Sequence, residues 1–571
     1  MVPPPTAPAL DRALDTLAGS KDVWACLSVT DKIAYLEQVR RRVLVEMDRW
    51  VALELDAKRI PPSSPWAGPE WGIGPWYLLV AVVALRDTLA AVARGQVPST
   101  EIHRRGDGRT VATVFPSSPL ERALYTPLTA QVWMQPGVSP SALPETMGAF
   151  YRQAHPDGKV ALVLGAGNAV VLALLDVLHK LYAEGQVALL KTNPVVDHLT
   201  PVVERILSPL VDDGFVRMVT GDAAVGAYLV AHPTVDEIHL TGGLATHDAI
   251  VFGPGAEGER RRAAHRPSTA KRVTSELGGV SPVIVLPGPW SAADLRAQAE
   301  KIVAMKMNNC GHNCMAAQVL VLPAGWPQGP QLLTEIERHL RLLRPRRAFY
   351  PGAEQRQRHL VEAHPDAIEI ASANVPWTMI WGLDPEDEDE LAFTREAFGP
   401  VLAQTTLPAP DLPAYLRAAV DFANHRLFGT LAATLLVHPS TQHELGQELD
   451  VALERLEYGT VGVNEWPGMA SFLPQCPWGG APGRPLENVQ SGRGFVHNAL
   501  LFACPEKTII RSSFHPAPRA WRHGQLQLLA HPLYSANHPF GPVAGRRLTR
   551  LGGNPRWRHV PGVLAALARG A

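Results

Sequence analysis

The sequence predicts an α/β protein built on a parallel, doubly wound sheet. From residue 159 onward, short runs rich in β-branched residues alternate with helical segments at intervals typical of βαβ units. The runs are KVALVL, QVALLK, VRMVTG and DEIHLTGG, and they lead into the turns GAGN, KTNP, TGD and TGG. Ligands of such sheets bind at the carboxyl ends of the strands, so these turns predict a nucleotide site.

The region before residue 159 is predicted to begin with helices. Ser28 stands three residues before Asp31, as in a capping box, and apolar residues then recur at spacings of three and four as far as Trp50. A segment rich in Pro, Gly and Trp, PPSSPWAGPEWGIGPW, separates this helix from a second apolar helix around residues 76–92.

Composition restricts the class of partner. The chain has 571 residues, with 53 Lys and Arg, 54 Asp and Glu and a net charge of −1, so no charge excess favours nucleic acid or acidic lipid. A small molecule fits better as a partner. The cysteines are scattered and odd in number, which argues against a disulfide framework and favours the cytoplasm. No secretory signal and no membrane span is expected, because the longest charge-free apolar stretch covers only residues 160–175.

The stretch MNNCGHNCMAAQ, residues 307–318, contains Cys310 and Cys314 on either side of Gly311 and His312. A cysteine thiolate adds readily to a carbonyl, whereas a buried thiol with no reaction partner is simply a small hydrophobe. The two cysteines and His312 could also be imagined around zinc. A structural zinc site normally needs four ligands in separated pairs, and no second pair is present, so no metal site is predicted.

The motifs, taken in order, are similar to those of the aldehyde dehydrogenase superfamily. They are GAGNAV, LLKTNP, LTGG, SELGG, NCGHNC, EAFGPV and GTVGVNEWP, and the resemblance runs from about residue 20 to about residue 512. It implies a doubly wound parallel-sheet dinucleotide-binding domain, an α/β catalytic domain and a small β oligomerisation arm. The implied boundaries are 1–275 for the N-terminal helices and dinucleotide-binding domain, with part of the arm near 110–140, 276–480 for the catalytic domain, 481–513 for the return to the core and the oligomerisation strand, and 514–571 for a basic extension.

The resemblance implies three catalytic residues. Cys314 matches the nucleophile, with His312 in the place of the family's glutamine. Asn168 matches the asparagine whose side-chain amide joins the cysteine backbone N–H in an oxyanion hole, although an asparagine after such a turn can also cap a helix. Glu276 matches the general base that activates water, and its alternative is a surface ion pair.

The resemblance also implies residues that bind a dinucleotide. Lys191 matches the lysine that bonds the adenosine ribose, Gly242 belongs to the LTGG motif, Glu396 matches the carboxylate on the nicotinamide ribose, and Phe398 is expected to pack beside the nicotinamide ring.

Two departures from the family pattern leave the choice between NAD and NADP open. Pro194 stands where NAD-preferring members often carry glutamate, and His247 stands where a glycine is usual. A missing carboxylate removes repulsion of a 2′-phosphate, so the expected cofactor is NAD or NADP.

Residues beside the nucleophile and after the GVN motif are implied to line the substrate funnel. An apolar or aromatic aldehyde would suit most of them, while a carboxylate among them complicates that expectation. The residues are Asn313, Met315, Glu465, Trp466 and Phe472.

The C-terminal end goes beyond the family pattern. Residues 514–571 contain arginines and no acidic residue, and are expected either to pack over the catalytic domain or to bind anionic lipid or a neighbouring subunit. The stretch EKTIIRSSF, residues 506–514, looks like the family's oligomerisation strand, so a homodimer or homotetramer is expected.

The sequence therefore predicts NAD(P)-dependent oxidation of an aldehyde to a carboxylic acid through a cysteine thiohemiacetal and thioester. One alternative is a relative that transfers the acyl group to coenzyme A or works in reverse as an acyl-CoA reductase. The other is a catalytically silent member of the fold that serves in binding or assembly.

Overall fold

The structure, a computed structural model, describes residues 5–98, 100–525, 534–535 and 541–569. The α-helices are α1 Ala7–Cys26, α2 Val29–Ala57, α3 Ala67–Trp71, α4 Tyr77–Ala93, α5 Pro119–Tyr125, α6 Leu143–Thr146, α7 Val170–Leu178, α8 Thr200–Asp212, α9 Ala223–Ala231, α10 Leu244–Val251, α11 Gly255–Ala263, α12 Ala292–Met307, α13 Gly329–Leu342, α14 Ala353–Ala363, α15 Leu391–Thr394, α16 Leu412–His425, α17 Pro439–Leu445, α18 Gln447–Arg455, α19 Gly468–Ser471, α20 Arg519–Arg522, α21 Pro542–Gly553 and α22 Val560–Arg569. The strands are β1 Glu101–Arg104, β2 Thr110–Phe115, β3 Thr129–Met134, β4 Val160–Leu164, β5 Val187–Lys191, β6 Val216–Val219, β7 Glu237–Gly242, β8 Arg272–Leu277, β9 Ser281–Val285, β10 Ala317–Pro323, β11 Ile368–Ile370, β12 Trp377–Leu383, β13 Val401–Leu407, β14 Ala432–Leu436, β15 Thr460–Val463, β16 Gly492–Arg493 and β17 Pro505–Arg511.

The N-terminal helices follow the predicted pattern. The Ser28 hydroxyl accepts a hydrogen bond from the Asp31 backbone N–H and caps α2, whose apolar stripe from Leu36 to Trp50 is buried. A π-helical segment, Gly72–Trp76, joins α3 to α4 and contains Pro75. The predicted break between the two long helices is therefore confirmed.

Among the described residues, Ala67–Ala93 is the stretch that is long and apolar enough to cross a membrane, with a mean hydropathy of 1.7 and half of it buried. The core helix of a water-soluble protein meets the same criteria, and here α4 packs against α2, α7 and α21. The prediction of no membrane span overlooked this segment because Arg86 and Asp87 interrupt its apolar run.

Within the described part of the chain, one sheet has six strands in the order β16-β8-β7-β4-β5-β6. The pairs from β8 to β6 are parallel, and the strand order reverses direction beside β4. A doubly wound sheet of this kind opens a crevice at the carboxyl ends of its strands. The predicted fold class is confirmed, and the GAGN turn follows β4 at that position.

The second sheet of the described residues has eleven strands in the order β1-β2-β3-β17-β15-β14-β9-β10-β13-β12-β11. Its β1-β2-β3 end corresponds to the predicted arm, and β17 is the predicted oligomerisation strand. β17 pairs antiparallel with β3 on one edge and parallel with β15 on the other, where Thr508 faces Thr460. Both edges of β17 are thus paired inside one chain. This strand therefore does not support the expected homodimer or homotetramer, which stays a prediction.

The C-terminal extension packs on both regions of the chain: α21 lies against α2, α3 and α4, and Arg519 pairs with Asp294 of α12. Its helix α21 approaches closely through glycines, since a Cβ at Gly545 would lie 2.8 Å from the Trp71 side chain. Arg546 pairs with Asp48 of α2 at 2.6 Å. The arginine-rich composition therefore serves at least one contact within the chain.

Candidate active site

A left-handed turn leads from α12 to the predicted nucleophile. Asn309 and Cys310 have φ values of 49° and 59°, which few residues other than glycine adopt, and Gly311 follows with φ 74°. A Cβ at position 311 would lie 2.4 Å from the carbonyl oxygen of Gly399, so this position also requires glycine for space. The turn brings Cys314 next to the end of β8.

The two cysteines of this turn have different surroundings. The Cys314 Sγ lies 3.5 Å from the Met315 Sδ, and the Glu276 carboxyl lies close enough for its charge to act on the thiol. Burial, followed by the charge of Glu276, raises the pKa of Cys314 well above its usual value. Cys310 belongs to a separate apolar cluster, and burial raises its pKa to about 11. That cluster consists of Cys310, Ala348, Ala353 and Val375.

Glu276 is placed by β8 and is almost completely buried. Its Oε1 accepts a hydrogen bond from the Trp478 indole N–H at 3.2 Å. Burial raises the pKa of Glu276 to about 7, against the hydrogen bond from Trp478, which favours the charged form. A carboxyl that titrates near neutrality can take a proton and return it. Its burial argues against the alternative role of Glu276 in a surface ion pair.

Asn168 lies at the same turn. Its side-chain amide donates to the carbonyl oxygen of His312 at 3.0 Å. The N-cap of α7 is Ala169, and no side chain caps this helix. An amide NH2 has two hydrogens, so this bond uses only one of the two N–H groups of Asn168.

His312 holds the turn in place. Its Nδ1–H donates to the carbonyl oxygen of Phe398 at 2.9 Å, and its ring packs against Phe349 and Tyr350. Burial lowers the pKa of His312 to about 3, so the ring is neutral. Among the described residues, no group of three His, Cys, Asp or Glu side chains lies close enough to hold a metal ion.

The predicted cofactor residues Lys191 and Gly242 lie at the carboxyl ends of β5 and β7, on either side of β4. Lys191 is half-buried, and burial lowers its pKa despite the nearby charges of Asp197 and Asp222. Gly242 is exposed. The crevice at this edge therefore offers an ammonium group and open backbone.

Glu396 lies closer to the nucleophile. A Cβ added to Gly278 would be 2.2 Å from both Glu396 carboxylate oxygens, so the carboxylate rests directly on the backbone after Glu276. Burial, followed by the charge of Glu276, raises the pKa of Glu396 to about 8. Its Oε1 has no hydrogen-bond partner within the described residues. Phe398 has φ 39° and packs its ring 4.9 Å from that of Tyr350.

The predicted substrate residues divide into a buried apolar set and a carboxylate. The Trp466 indole N–H donates to the Met315 carbonyl at 3.0 Å, and the Phe472 ring packs 4.9 Å from that of Tyr77. The Asn313 amide donates to the Asn308 carbonyl at 2.9 Å, so it braces the turn.

Glu465 is occupied by contacts within the chain. Its Oε1 accepts from the Tyr534 hydroxyl at 2.8 Å and from the Trp466 backbone N–H at 2.9 Å. The Tyr534 ring also packs 4.9 Å from that of Trp466. The C-terminal extension therefore reaches the residue that contacts Met315, next to the nucleophile.

Sequence reasoning missed several residues of this site. Trp478, which bonds Glu276, lies 202 residues away along the chain, and Tyr534 belongs to the extension beyond the family pattern. Lys306 is fully buried near Glu396 and Cys310, and burial lowers its pKa to about 7. An isolated lysine inside the apolar face of α12 was a signal that could have identified it.

The chain is similar in sequence to known aldehyde dehydrogenases. Residues 139–348 match the model of the aldehyde dehydrogenase family. Coniferyl aldehyde dehydrogenase from Pseudomonas sp. (strain HR199 / DSM 7063) is 24% identical over 393 residues, which cover 65% of this chain and 72% of that protein.

Solved structures share the fold. An NAD-dependent aldehyde dehydrogenase from Sinorhizobium meliloti has a TM-score of 0.58 and 17% identity, covering 90% of this chain and 89% of that one. An NADP-dependent glyceraldehyde-3-phosphate dehydrogenase from Bacillus halodurans C-125, complexed with NADP, has a TM-score of 0.59 and 18% identity, covering 89% of this chain and 92% of that one.

Proposed function

We propose that this chain is a member of the aldehyde dehydrogenase superfamily and that it oxidises an aldehyde to a carboxylic acid with NAD or NADP. The observation that carries the proposal is that the Cys314 thiol and the Glu276 carboxyl lie next to each other in a buried site. The Asn168 amide lies at the same turn and supplies a donor.

The first half of the reaction takes place at Cys314. The Cys314 thiol gives up its proton to solvent, and the Sγ thiolate adds to the aldehyde carbon to form a thiohemiacetal. The carbonyl oxygen gains negative charge in this step. The remaining N–H of Asn168 and the backbone N–H of Cys314 are the donors that we assign to this oxyanion.

The residues of the crevice fit a dinucleotide. Lys191 offers an ammonium donor for ribose hydroxyls. The Oε1 of Glu396 has no partner among the described residues and offers an acceptor for another hydroxyl. A nicotinamide held there would supply the hydride acceptor for the thiohemiacetal carbon, and Cys314 would then carry a thioester. Pro194 presents no carboxylate against a 2′-phosphate, so the cofactor is NAD or NADP.

The second half of the reaction depends on Glu276. Its carboxylate removes a proton from a water molecule as the water oxygen attacks the thioester carbonyl. Collapse of the tetrahedral intermediate breaks the C–S bond, releases the carboxylic acid and returns the thiolate to Cys314. Glu276 then holds the proton that it must lose before the next cycle.

The substrate is an apolar or aromatic aldehyde. Met315, Trp466 and Phe472 provide apolar surface near the nucleophile. The Tyr534 hydroxyl donates a hydrogen bond to the Glu465 carboxylate. The similarity to an enzyme named for coniferyl aldehyde, an aromatic compound, supports the same class.

We also place the reaction in the cytoplasm, since all five cysteines are free thiols. A dimer or tetramer remains the expected assembly. Sedimentation velocity of the purified protein measures that state directly.

The experiment that tests the function compares the wild type with Glu276→Gln on a panel of aldehydes with each dinucleotide. The variant should release one equivalent of reduced dinucleotide per site in a burst, because hydride transfer precedes water activation. Its steady-state rate should fall by about 10²-fold or more. Glu354→Gln, at an exposed glutamate paired with Arg358, is the matched control and should behave as wild type.

Coenzyme A distinguishes the alternatives. If the wild type turns over only when coenzyme A is added, or if Glu276→Gln leaves the steady state unchanged, the acyl-CoA reaction replaces hydrolysis. If no aldehyde yields reduced dinucleotide with either cofactor, the silent fold member is the correct account.

A further inference from the structure

Charged side chains of the N-terminal helices are buried next to the nucleophile turn. Glu54 and Lys58 come from the C-terminal end of α2, Glu70 comes from α3, and Arg346 precedes α14. The Lys58 Nζ lies 2.7 Å from the Glu70 Oε2 and 3.3 Å from the Glu54 Oε2, and Arg346 pairs with the Glu70 Oε1 at 2.7 Å. We call these four residues the buried charge cluster, and at most 7% of any of their side chains is exposed.

The buried charge cluster is not explained by stability alone. Taking charges out of water is unfavourable, and replacing a buried ionic group with apolar residues of similar volume is often neutral or stabilising. Burial opposes ionisation of Glu70, but Lys58 and Arg346 outweigh it and lower the pKa of this carboxyl. The glutamate therefore stays charged at neutral pH, and its charge holds the Lys58 ammonium.

Lys58 connects this cluster to the active site. An ammonium group has three hydrogens, and besides the two glutamates Lys58 donates to the Asn309 Oδ1 at 3.3 Å. The Asn309 amide donates to the Asn168 carbonyl at 3.1 Å and to the His312 carbonyl at 3.3 Å. Asn168 donates to the same His312 carbonyl at 3.0 Å. Every link from Lys58 to Asn168 is thus a hydrogen bond between buried groups.

The residue that Lys58 holds is the first of two strained positions. Asn309 and Cys310 both adopt the left-handed region, which costs free energy for residues other than glycine and persists where surrounding contacts fix it. The bond from Lys58 to Asn309 is a contact of this kind, and it comes from outside the turn. A small displacement of this turn would move Cys314 relative to the Asn168 amide.

We propose that Lys58 is a positioning residue of the reaction: it fixes Asn309, and Asn309 fixes the turn that carries Cys314 against Asn168. This inference rests on the proposed function, because the relative position of nucleophile and oxyanion donor matters only for chemistry at Cys314. The remaining members of the buried charge cluster keep the ammonium in place.

The test begins with Lys58→Met, which keeps an unbranched side chain one atom shorter and removes the ammonium donors. We expect kcat to fall by about 10- to 100-fold, because misplacement by about 1 Å costs a factor of this size, while the dinucleotide KM changes by less than about twofold. Lys180→Met is the matched control. Lys180 is equally buried and paired with Glu184 at 2.6 Å, but within the described residues it makes no contact with the nucleophile turn, so the kcat of this variant should stay within about threefold of wild type.

A double-mutant cycle tests the route through Asn309. Asn309→Gly removes the side chain and tolerates the left-handed backbone, so it should lower kcat by a similar factor. The double variant should be no slower than Asn309→Gly alone, since both changes break one connection. An unchanged kcat in Lys58→Met, an equal loss in Lys180→Met, or independent additive losses would each overturn the inference. If Lys58→Met does not fold, Asn309→Gly alone decides, and an unchanged kcat there overturns it.

A second measurement separates this inference from the proposed function. The rate at which iodoacetamide alkylates Cys314, followed by peptide mass, needs no aldehyde and no dinucleotide. We expect it to change by about fivefold or more in Lys58→Met and Asn309→Gly and not in Lys180→Met, since thiol reactivity follows its local environment. If the wild type oxidises no aldehyde but the alkylation rates behave in this way, the proposed function fails and the positioning role stands. Equal alkylation rates in all variants overturn the positioning role.

Discussion

The nucleophile turn and the outer edge of the dinucleotide crevice belong to one site but are built differently. Cys314, Glu276 and Asn168 are no more than 9% exposed and contact one another or the same turn directly. Lys191 and Gly242 stand at strand ends that are half-buried or exposed, about the width of one strand to either side of β4. The buried region depends on exact contacts, whereas the edge offers groups to a ligand.

This difference predicts how each region responds to substitution. Changes at the nucleophile turn should act on kcat, because they alter groups that contact the reacting atoms. Changes at the crevice edge should act on the dinucleotide KM, because they remove binding contacts that are present before and during the reaction. Mutations that violate this division would show that the two regions are not separate in function.

The largest effect is expected from Cys314→Ala. Loss of the nucleophile should lower turnover by about 10⁴-fold or more, because no other group forms the thioester. Cys310→Ala is the matched control, and it should keep kcat within about threefold since Cys310 packs in a separate cluster with Val375. Steady-state rates with a common aldehyde measure both variants, and the reverse pattern would assign the motif to Cys310.

Asn168→Ala should have the next largest effect. Removal of one oxyanion donor costs about 10²- to 10³-fold in kcat. Dinucleotide affinity, measured by fluorescence titration, should stay close to wild type because the Asn168 amide bonds the His312 carbonyl and not the outer crevice. A weakened dinucleotide affinity with unchanged kcat would show that Asn168 binds the dinucleotide and is not an oxyanion donor.

The pH dependence sharpens the comparison further. Burial raises the pKa of Glu276 to about 7, and the carboxylate is the form that accepts a proton. Steady-state hydrolysis should therefore rise about tenfold per pH unit below 7 and level off above it. The burst of reduced dinucleotide at each pH, measured by stopped flow, reports the first half of the reaction alone. A steady-state rate that is flat from pH 6 to pH 8 would mean that Glu276 is not the group that limits hydrolysis.

The smallest effect is expected at the crevice edge. Lys191→Ala should raise the dinucleotide KM by about tenfold and leave the aldehyde KM within about twofold, as expected for the loss of a ribose contact. Glu396→Gln should behave similarly, although its position beside Gly278 brings it nearer to Glu276. Equal changes in both KM values would remove these residues from the cofactor site.

Much of the fold could be predicted because its signals are local. The βαβ rhythm after residue 159 reproduced β4 to β7 within a residue or two, since β-branched runs and glycine turns act over a few positions. The break between α2 and α4 followed from its Pro and Gly content for the same reason. The order of motifs, read by resemblance, placed Cys314, Glu276 and Asn168 near one another, and the structure brings them together.

Pairings between distant segments could not be predicted in this way. β17 was expected to serve a second subunit, but it lies between β3 and β15 of its own chain, and nothing in its seven residues specifies which edge it joins. Likewise, the Tyr534 hydroxyl, in a segment outside the recognised motifs, donates a hydrogen bond to the Glu465 carboxylate.

The sequence by itself determined the class of fold and the kind of chemistry, because strand periodicity and the identity of a thiol, a carboxyl and an amide are properties of short stretches. The tertiary structure decided which groups meet. It turned Cys310 away from Cys314, set Trp478 against Glu276 and connected Lys58 to Asn309. Such contacts join residues hundreds of positions apart, and their geometry is fixed by packing and burial, which no local pattern records.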